Sequence, residues 1–436
     1  MRNVFWATLA LGAFTAQAAS LNGYWAGTIV SKGHETAVQL EFTETGDTTT
    51  GQFWIPEFGW ISNPFAEVTV QRAKFRALRE TDPVFGFEGT LSGKGEKQRL
   101  SGDFVRGDFR ASFSVERTEK PELPYAIEEV RFQNGDTTLA GAVYAPKSPG
   151  RHGAVVLLHG SGDNERWQYF ETADWFARHN MVCLVFDKRG NGASTGKWLD
   201  VGFTELADDG IAGLRHLQTR SDVDPAKIGF WGISQAGWIM EIAAQRCADT
   251  AFFVSISGGT AQVEREGYWD YECDLRAAGH SEAEIAEAID MLRRYNATVR
   301  TGEGYEAFLE WMQPMRQKPW FAKLAWVPRP PDRINQQWYR RVMDFDPEPV
   351  LRGLNLPMLF IFGEADDSNP TAEGIAMLNK VKAETGKDLT IISFPGADHG
   401  VRFPADPAAA YPFRKRPEAF WTGNADWLRQ RGVMAP

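Results

Sequence analysis

The sequence predicts an α/β protein: a mostly parallel sheet covered by helices, interrupted by a helical insertion and preceded by a small antiparallel β domain. Three observations carry this. Beyond residue 125, short and wholly apolar runs alternate with helix-length stretches, the pattern of strands buried on both faces. Between Gly258 and Pro347 that alternation stops and amphipathic helical stretches replace it. Before residue 118, closely spaced runs alternate apolar with polar residues and show no helical period.

Composition narrows the function. The 436 residues suffice for two or three domains, and 43% hydrophobic with 24% charged residues is ordinary for a globular chain. A net charge of -10 argues against a nucleic-acid surface, and Arg414-Lys415-Arg416 reads as a solvated loop. The sixteen tryptophans are read first as core filling. Residues 1–19 read as a signal peptide: Arg2, an apolar stretch from Val4 to Phe14, then Ala16-Gln17-Ala18 as an A-x-A cleavage pattern. That stretch is too short for a comfortable membrane span and no later one is longer, so an exported protein, periplasmic or secreted, is expected. Three cysteines exclude a fully paired framework. Cys183 lies in the apolar run MVCLVF as an inert thiol; whether Cys247 and Cys273 pair stays open.

In the expected β domain, residues 20–118, runs such as TAVQLEF, GQFWIP and FRASFSVER are separated by Thr45-Gly46-Asp47, Ser92-Gly93-Lys94-Gly95 and Arg106-Gly107-Asp108. Such spacing predicts a sandwich or small barrel. Gly23-Tyr24-Trp25-Ala26-Gly27 resembles the first strand of lipocalin-like barrels. The segment holds no titratable cluster, so no chemistry is expected there. Residues 119–125, with Pro121 and Pro124, read as a linker.

The α/β region, 126–436, opens with a hairpin around Asn134-Gly135-Asp136. Ala154–Leu158 and Met181–Phe186 are apolar strands, and Trp167–His179 and Phe203–Gln218 are helical. Lys227–Gly232 is the next strand and Gln235–Cys247 its helix, followed by the strand Ala251–Ile256. The insertion, about 258–347, includes a helix over Ser281–Thr301 whose Ser281 and Glu284 form a capping box. Strand Pro357–Phe362, helix Thr371–Thr385, strand Leu389–Phe394 and helix Phe420–Arg431 complete the chain.

Sites in such sheets form just past the carboxyl ends of strands. Gly232-Ile233-Ser234-Gln235-Ala236-Gly237 puts a serine on a sharp strand-to-helix turn between small residues, the layout of a nucleophile elbow, although Ala236 stands where G-x-S-x-G has glycine. The other strand ends carry His159-Gly160-Ser161-Gly162, Asp187-Lys188-Arg189-Gly190, Gly363-Glu364-Ala365-Asp366-Asp367 and Asp398-His399-Gly400. Serine, then acid, then histidine is the order of an α/β-hydrolase triad. His399 is the only histidine in the last hundred residues. Asp366 fits the spacing after its strand, with adjacent Asp367 as the alternative, and Asp398 reads as a loop-ordering residue. His159 is expected to pin its loop while Gly160 and Gly162 let it turn; Arg166 either supports that loop or faces solvent. Asp187 and Arg189 read as a loop-fixing pair, and His152, His179, His216 and His280 as surface or packing side chains. No metal-ligand spacing and no phosphate-binding glycine loop is present, so no metal or cofactor is expected.

From about Tyr125 to Arg431 the chain resembles the α/β hydrolases, most closely bacterial esterases and the serine-aminopeptidase-like and dienelactone-hydrolase-like branches. HGSG with Arg166 nearby, DKRGNGAST, GISQAG, GEADD and the late DHG carry the likeness in order and spacing. It implies a serine hydrolase acting on a small acyl substrate: Ser234 the nucleophile, His399 the base, Asp366 its orienting acid, the Gln235 and Ser161 amides the oxyanion hole. Carboxylic esters are the expected substrates, with thioesters or short peptides as alternatives. An amine-bearing substrate would need an acidic anchor, for which Glu264, Glu266, Asp270 and Glu272 are candidates. A non-catalytic binding protein on the same fold is the alternative of another class.

Overall fold

The computed structural model describes residues 20–325, 327 and 329–435; the expected signal peptide lies outside them. The chain divides between Glu122 and Leu123 into two compact units.

The first unit is one antiparallel sheet of nine strands: β1 (Gly23–Ser31), β2 (His34–Thr45), β3 (Thr48–Ile55), β4 (Trp60–Pro64), β5 (Glu67–Gln71), β6 (Lys74–Thr81), β7 (Val84–Ser92), β8 (Arg99–Arg106) and β9 (Phe109–Thr118). Their spatial order is β4-β3-β2-β1-β9-β8-β7-β6-β5. Alternation fixes the faces: in β2, Thr36, Val38, Leu40 and Phe42 are buried and the residues between them are not. The sheet curls into a half-barrel, because Phe42 of β2 meets Phe75 of β6 with ring centroids 6.2 Å apart although four strands separate them. Phe53, Phe65, Phe87, Phe104 and Phe113 fill the space between.

The second unit is an eight-stranded sheet: β10 (Tyr125–Asn134), β11 (Thr137–Pro146), β12 (His152–Leu158), β13 (Val182–Phe186), β14 (Val223–Ile233), β15 (Phe253–Ile256), β16 (Met358–Gly363) and β17 (Leu389–Phe394). The order is β10-β11-β13-β12-β14-β15-β16-β17. The β10–β11–β13 pairings are antiparallel and the rest parallel. Tyr125, counted with the linker on sequence grounds, already pairs with Pro146 as the first residue of β10.

Period two sorts each buried strand between two cores. Val156, Leu158, Leu184, Phe186, Phe360 and Phe362 enter one, against α2 (Phe203–Gln218) and α3 (Ala236–Arg246). Val155, Leu157, Cys183, Val185, Leu359 and Ile361 enter the other, against α1 (Phe170–Arg178) and the C-terminal helix Glu418–Gln430. Both faces are covered, which is why these strands read as unbroken apolar runs. All three cysteines are free, so Cys247 and Cys273 are not paired.

Between β15 and β16 the chain forms α4 (Val263–Ala277), α5 (Glu282–Thr301), α6 (Tyr305–Met312), α7 (Ile334–Val342) and α8 (Pro347–Gly353). The α5 cap is the expected box: the Ser281 amide donates to Glu284 and the Glu284 amide to the Ser281 hydroxyl. Tyr268, Leu275, Ile289, Leu292, Tyr295 and Trp320 give this insertion a core of its own.

Phe360 is fully buried between β15 and β17, with its ring 5.6 Å from Phe253. Phe360→Ala is expected to destabilise the second unit by about 3–5 kcal/mol, read as a shift of the urea unfolding midpoint by tryptophan fluorescence.

Candidate active site

Ser234 occupies the two-residue gap between β14 and α3 with φ +60°, a left-handed conformation that costs energy in any residue bearing a Cβ. Several contacts hold it there. Its amide donates to the Ile256 carbonyl at 2.8 Å, and its carbonyl accepts from the Gly237 amide at 2.8 Å. The chain after β15 presses against the turn: a Cβ on Gly258 would lie 2.0 Å from the Ser234 carbonyl oxygen, and one on Gly237 would lie 2.5 Å from the Gly258 carbonyl carbon. Ala236 is tolerated because Gly232 faces it, where a Cβ would lie only 2.4 Å from the Ala236 methyl.

Two neighbouring strand ends supply the histidine and its acid. His399 Nδ1 donates to Asp366 Oδ2 at 2.8 Å and Oδ1 at 3.0 Å, since an ionised carboxylate only accepts. That fixes the tautomer and leaves Nε2 as the basic nitrogen. Asp366 is buried and also accepts the Ser368 and Asn369 amides, whereas Asp367 is exposed. The geometry therefore brings Asp366, not Asp367, to His399. The loops can meet because residue 363 is glycine; a Cβ there would lie 2.1 Å from the Asp398 carbonyl oxygen. Asp398 orders the histidine loop by accepting the Gly400 and Arg402 amides and pairing with Arg414. Burial alone would lower the His399 pKa, but the hydrogen bond and charge of Asp366, with Asp367 and Asp398 beyond, hold it above its ordinary value.

The third part is the loop after β12. His159 is buried, donates to the Phe186 carbonyl at 2.6 Å, and is kept neutral by burial, which lowers its pKa to about 3. Gly160 runs past the elbow: a Cβ there would lie 3.8 Å from the Ser234 Cβ. Its amide donates to the Tyr169 hydroxyl at 3.1 Å. Gly162 turns the loop with φ +76°. The Asn164 amide group ties the Ser161 and Gly162 carbonyls at 2.8 and 3.0 Å. The backbone amides of Ser161 and Gln235 have no hydrogen-bond acceptor among the described residues, so both are available to a ligand oxygen.

Asp187 and Arg189, beside this loop, differ from expectation. The Arg166 guanidinium reaches Glu129 on β10 at 2.8 Å and lies 3.9 Å from Asp187, which also accepts the Arg166 backbone amide. Asp187 and Arg189 do not pair with each other. Arg189 forms a bidentate ion pair with buried Asp209 of α2 at 2.6 and 2.7 Å, while Asp187 accepts the Arg166 and Ala193 amides. Lys188, between them, carries a role that sequence reasoning missed. It is 1% exposed, and its Nζ lies 2.9 Å from the Gly160 carbonyl, 3.0 Å from the Gly162 carbonyl and 3.2 Å from Gln235 Oε1. Its place just past β13, where site residues gather, was the available signal.

A cavity of 740 Å³ adjoins the loop, with Asp163 and Trp198 on one side and Tyr268, Tyr295, Trp338 and Tyr339 of the insertion on the other. Of the four candidate acidic anchors, Glu264 pairs with Arg300 and Glu272 with Arg265. Burial, then the charges of Asp366 and Asp270, push the Glu266 pKa well up. Asp270 is the one that lines the cavity. His152, His179 and His216 pack against the Ser148 carbonyl, Trp175 and Phe132, and His280 lies 3.8 Å from Glu284. Among the described residues no group of His, Cys, Asp and Glu could hold a metal ion.

A serine on a strained strand-to-helix turn, a histidine–aspartate pair and a glycine loop, all past the carboxyl ends of strands in a helix-covered sheet, define the class of α/β hydrolases. The model of the Alpha/beta hydrolase family matches residues 155–411, more than half of the chain, and the protein belongs to that family. Esterase EstD of Thermotoga maritima is 22% identical over 334 residues, covering 70% of this chain and 71% of the esterase. Polyketide transferase claH of Penicillium crustosum is 29% identical over 133 residues, 30% of this chain, which thereby spans less than half (43%) of that relative. An esterase structure from Pyrococcus furiosus aligns over 71% of this chain and 92% of its own at 14% identity, with a TM-score of 0.45.

In Asp366→Asn the carboxylate that holds the His399 proton is gone while burial still disfavours the imidazolium. The His399 pKa is expected to fall, read by NMR titration of the ring resonances; an unmoved midpoint would contradict the pairing.

Proposed function

We propose that the protein is a serine hydrolase that cleaves carboxylic esters through an acyl-enzyme on Ser234. The observation that carries this is the Asp366–His399 hydrogen bond, formed between two strand ends of the sheet that holds Ser234 at its elbow. A serine hydroxyl is a weak nucleophile at neutral pH and needs a base beside it. His399 Nε2 takes the Ser234 proton as Oγ bonds to the ester carbonyl carbon. Asp366 stabilises the imidazolium that results. The carbonyl oxygen becomes an oxyanion and meets the Ser161 and Gln235 amides; the loss of one such donor typically costs roughly 2.7–4 kcal/mol in barrier. The carbon–oxygen bond to the alcohol then breaks and His399 gives its proton to the departing oxygen. Water, deprotonated by the same histidine, attacks the acyl-enzyme and restores Ser234. The helical insertion acts as a cap, and the cavity beneath it, walled by Trp198, Trp338 and four tyrosines, suits an apolar or aromatic substrate group.

Ser234→Ala is expected to abolish hydrolysis of a short p-nitrophenyl ester and labelling by a fluorophosphonate. Full turnover in that variant sinks the assignment. Faster cleavage of thioesters or peptide amides than of matched esters would move the substrate class but keep the triad.

We also infer export, on the strength of residues 1–19. N-terminal sequencing of the protein from a secreting host is expected to begin just after Ala18, at Ala19 or Ser20; an intact Met1 on the exported or cell-retained protein would refute the cleavage.

A further inference from the structure

We propose that Lys188 is a positioning residue for the reaction: its ammonium fixes and polarises the peptide that carries one oxyanion donor and ties it to the elbow that carries the other. The proposal rests on the hydrolase reading above, which gives the Ser161 and Gln235 amides their role.

A lysine ammonium has three N–H groups and accepts nothing. Lys188 Nζ meets three oxygens, the carbonyls of Gly160 and Gly162 and the side-chain carbonyl of Gln235, at 2.9, 3.0 and 3.2 Å. Each N–H has one partner. The face of Trp198 covers the same nitrogen at 4.6 Å from the ring centroid, a further contact that favours a cation. Trp198 is itself held by its indole N–H, which donates to Asp163 at 2.7 Å. A buried lysine is costly unless its donors are met in this way, and surface solvation is not available to a side chain 1% exposed.

The identity of the acceptors gives the role. The Gly160 carbonyl and the Ser161 N–H are the two ends of one peptide group. A cation on the oxygen sets the orientation of that rigid plane and hence the direction of the N–H. It also draws electron density from the amide, which strengthens the N–H as a donor. The Gly162 contact secures the loop on the far side of Ser161. The Gln235 contact joins the loop to the residue whose own backbone N–H is the second donor. One side chain thus sets the spacing between two amides that come from different strand ends.

The arrangement also couples the site to pH. Burial lowers the Lys188 pKa to about 7, against the opposing pull of Asp163. The other titratable groups near it are His159, held neutral at the end of β12, and Asp209 of α2, which is already paired with Arg189. Lys188 works as the ammonium, so its contribution is present below its pKa and lost as pH rises through it. His399 works as the free base, so its contribution appears as pH rises through a value above 6.5. Activity is therefore expected to carry an acid limb set by His399 and an alkaline limb set by Lys188.

The experiment is a pH profile of p-nitrophenyl ester hydrolysis for wild type, Lys188→Met and Gln235→Leu, with fluorophosphonate labelling to count folded sites. Lys188→Met should keep near-stoichiometric labelling at long times, lose about 100-fold in kcat with little change in KM, and show the acid limb without the alkaline one. Gln235→Leu keeps the backbone amide but removes one acceptor of the charged form, so its alkaline limb should move to lower pH. This second variant decides the matter if Lys188→Met does not fold. Wild-type kcat in Lys188→Met, or an alkaline limb unchanged in both variants, overturns the proposal while leaving the hydrolase reading intact. A wild-type protein that neither labels nor turns over overturns both.

Discussion

The left-handed backbone at Ser234 is the constraint on which the rest of the site depends. A serine does not hold φ +60° unaided, and the cost is of order 1–3 kcal/mol. It is met by close contact on both sides: the Ile256 carbonyl takes the serine amide, and glycines at 232, 237 and 258 let the neighbouring backbones come within reach. The same geometry sets Ser234 and Gln235 in the gap between the end of β14 and the start of α3. The loop after β12 runs past that turn, where a Cβ on Gly160 would lie 3.8 Å from the Ser234 Cβ, and the histidine loop after β17 is held against the end of β16. Their own devices are of the same kind, a glycine where backbones touch and a polar side chain that fixes the backbone, Asn164 on carbonyls in one loop and Asp398 on amides in the other.

Much of this was legible in the sequence because it is local. Runs buried on both faces gave β12, β13, β14 and β16, and period two gave the first unit, since those patterns follow from which side of a strand meets water. The serine turn, the histidine and the acid could be placed because each follows its strand within a few residues. What stayed hidden depends on partners far along the chain. Spacing favoured Asp366 but left adjacent Asp367 open, and the burial of Asp366 and its bond from His399 Nδ1 separate them. Arg189 was matched to its sequence neighbour Asp187, yet its guanidinium turns across to Asp209, twenty residues later on α2. Lys188 was given no role because nothing local shows that three carbonyl oxygens from two other loops surround its nitrogen.

The helical insertion is a second structure laid into the first. Many of its apolar residues pack on one another around Tyr295 and Trp320, while Val263, Val342 and Leu351 join the core of the sheet that α2 and α3 cover. Some of its side chains nonetheless reach the site: the Trp269 indole donates to the Asp366 carbonyl, and Tyr268, Trp338 and Tyr339 wall the cavity. The walls of the cavity thus come largely from an element that also has a core of its own.

Gly232 and Ala236 show that the two small positions of the serine motif are not equivalent. A methyl at 236 fits because it points into the space that residue 232 leaves empty. A methyl at 232 would meet both the Ala236 methyl at 2.4 Å and the Leu158 carbonyl oxygen at 3.0 Å. The first letter of the motif is bound by rigid backbone as well as by its opposite number. Related chains can therefore drift from glycine to alanine at the fifth letter without losing the turn, and a pattern search that demands glycine at both places will pass over members that are built the same way.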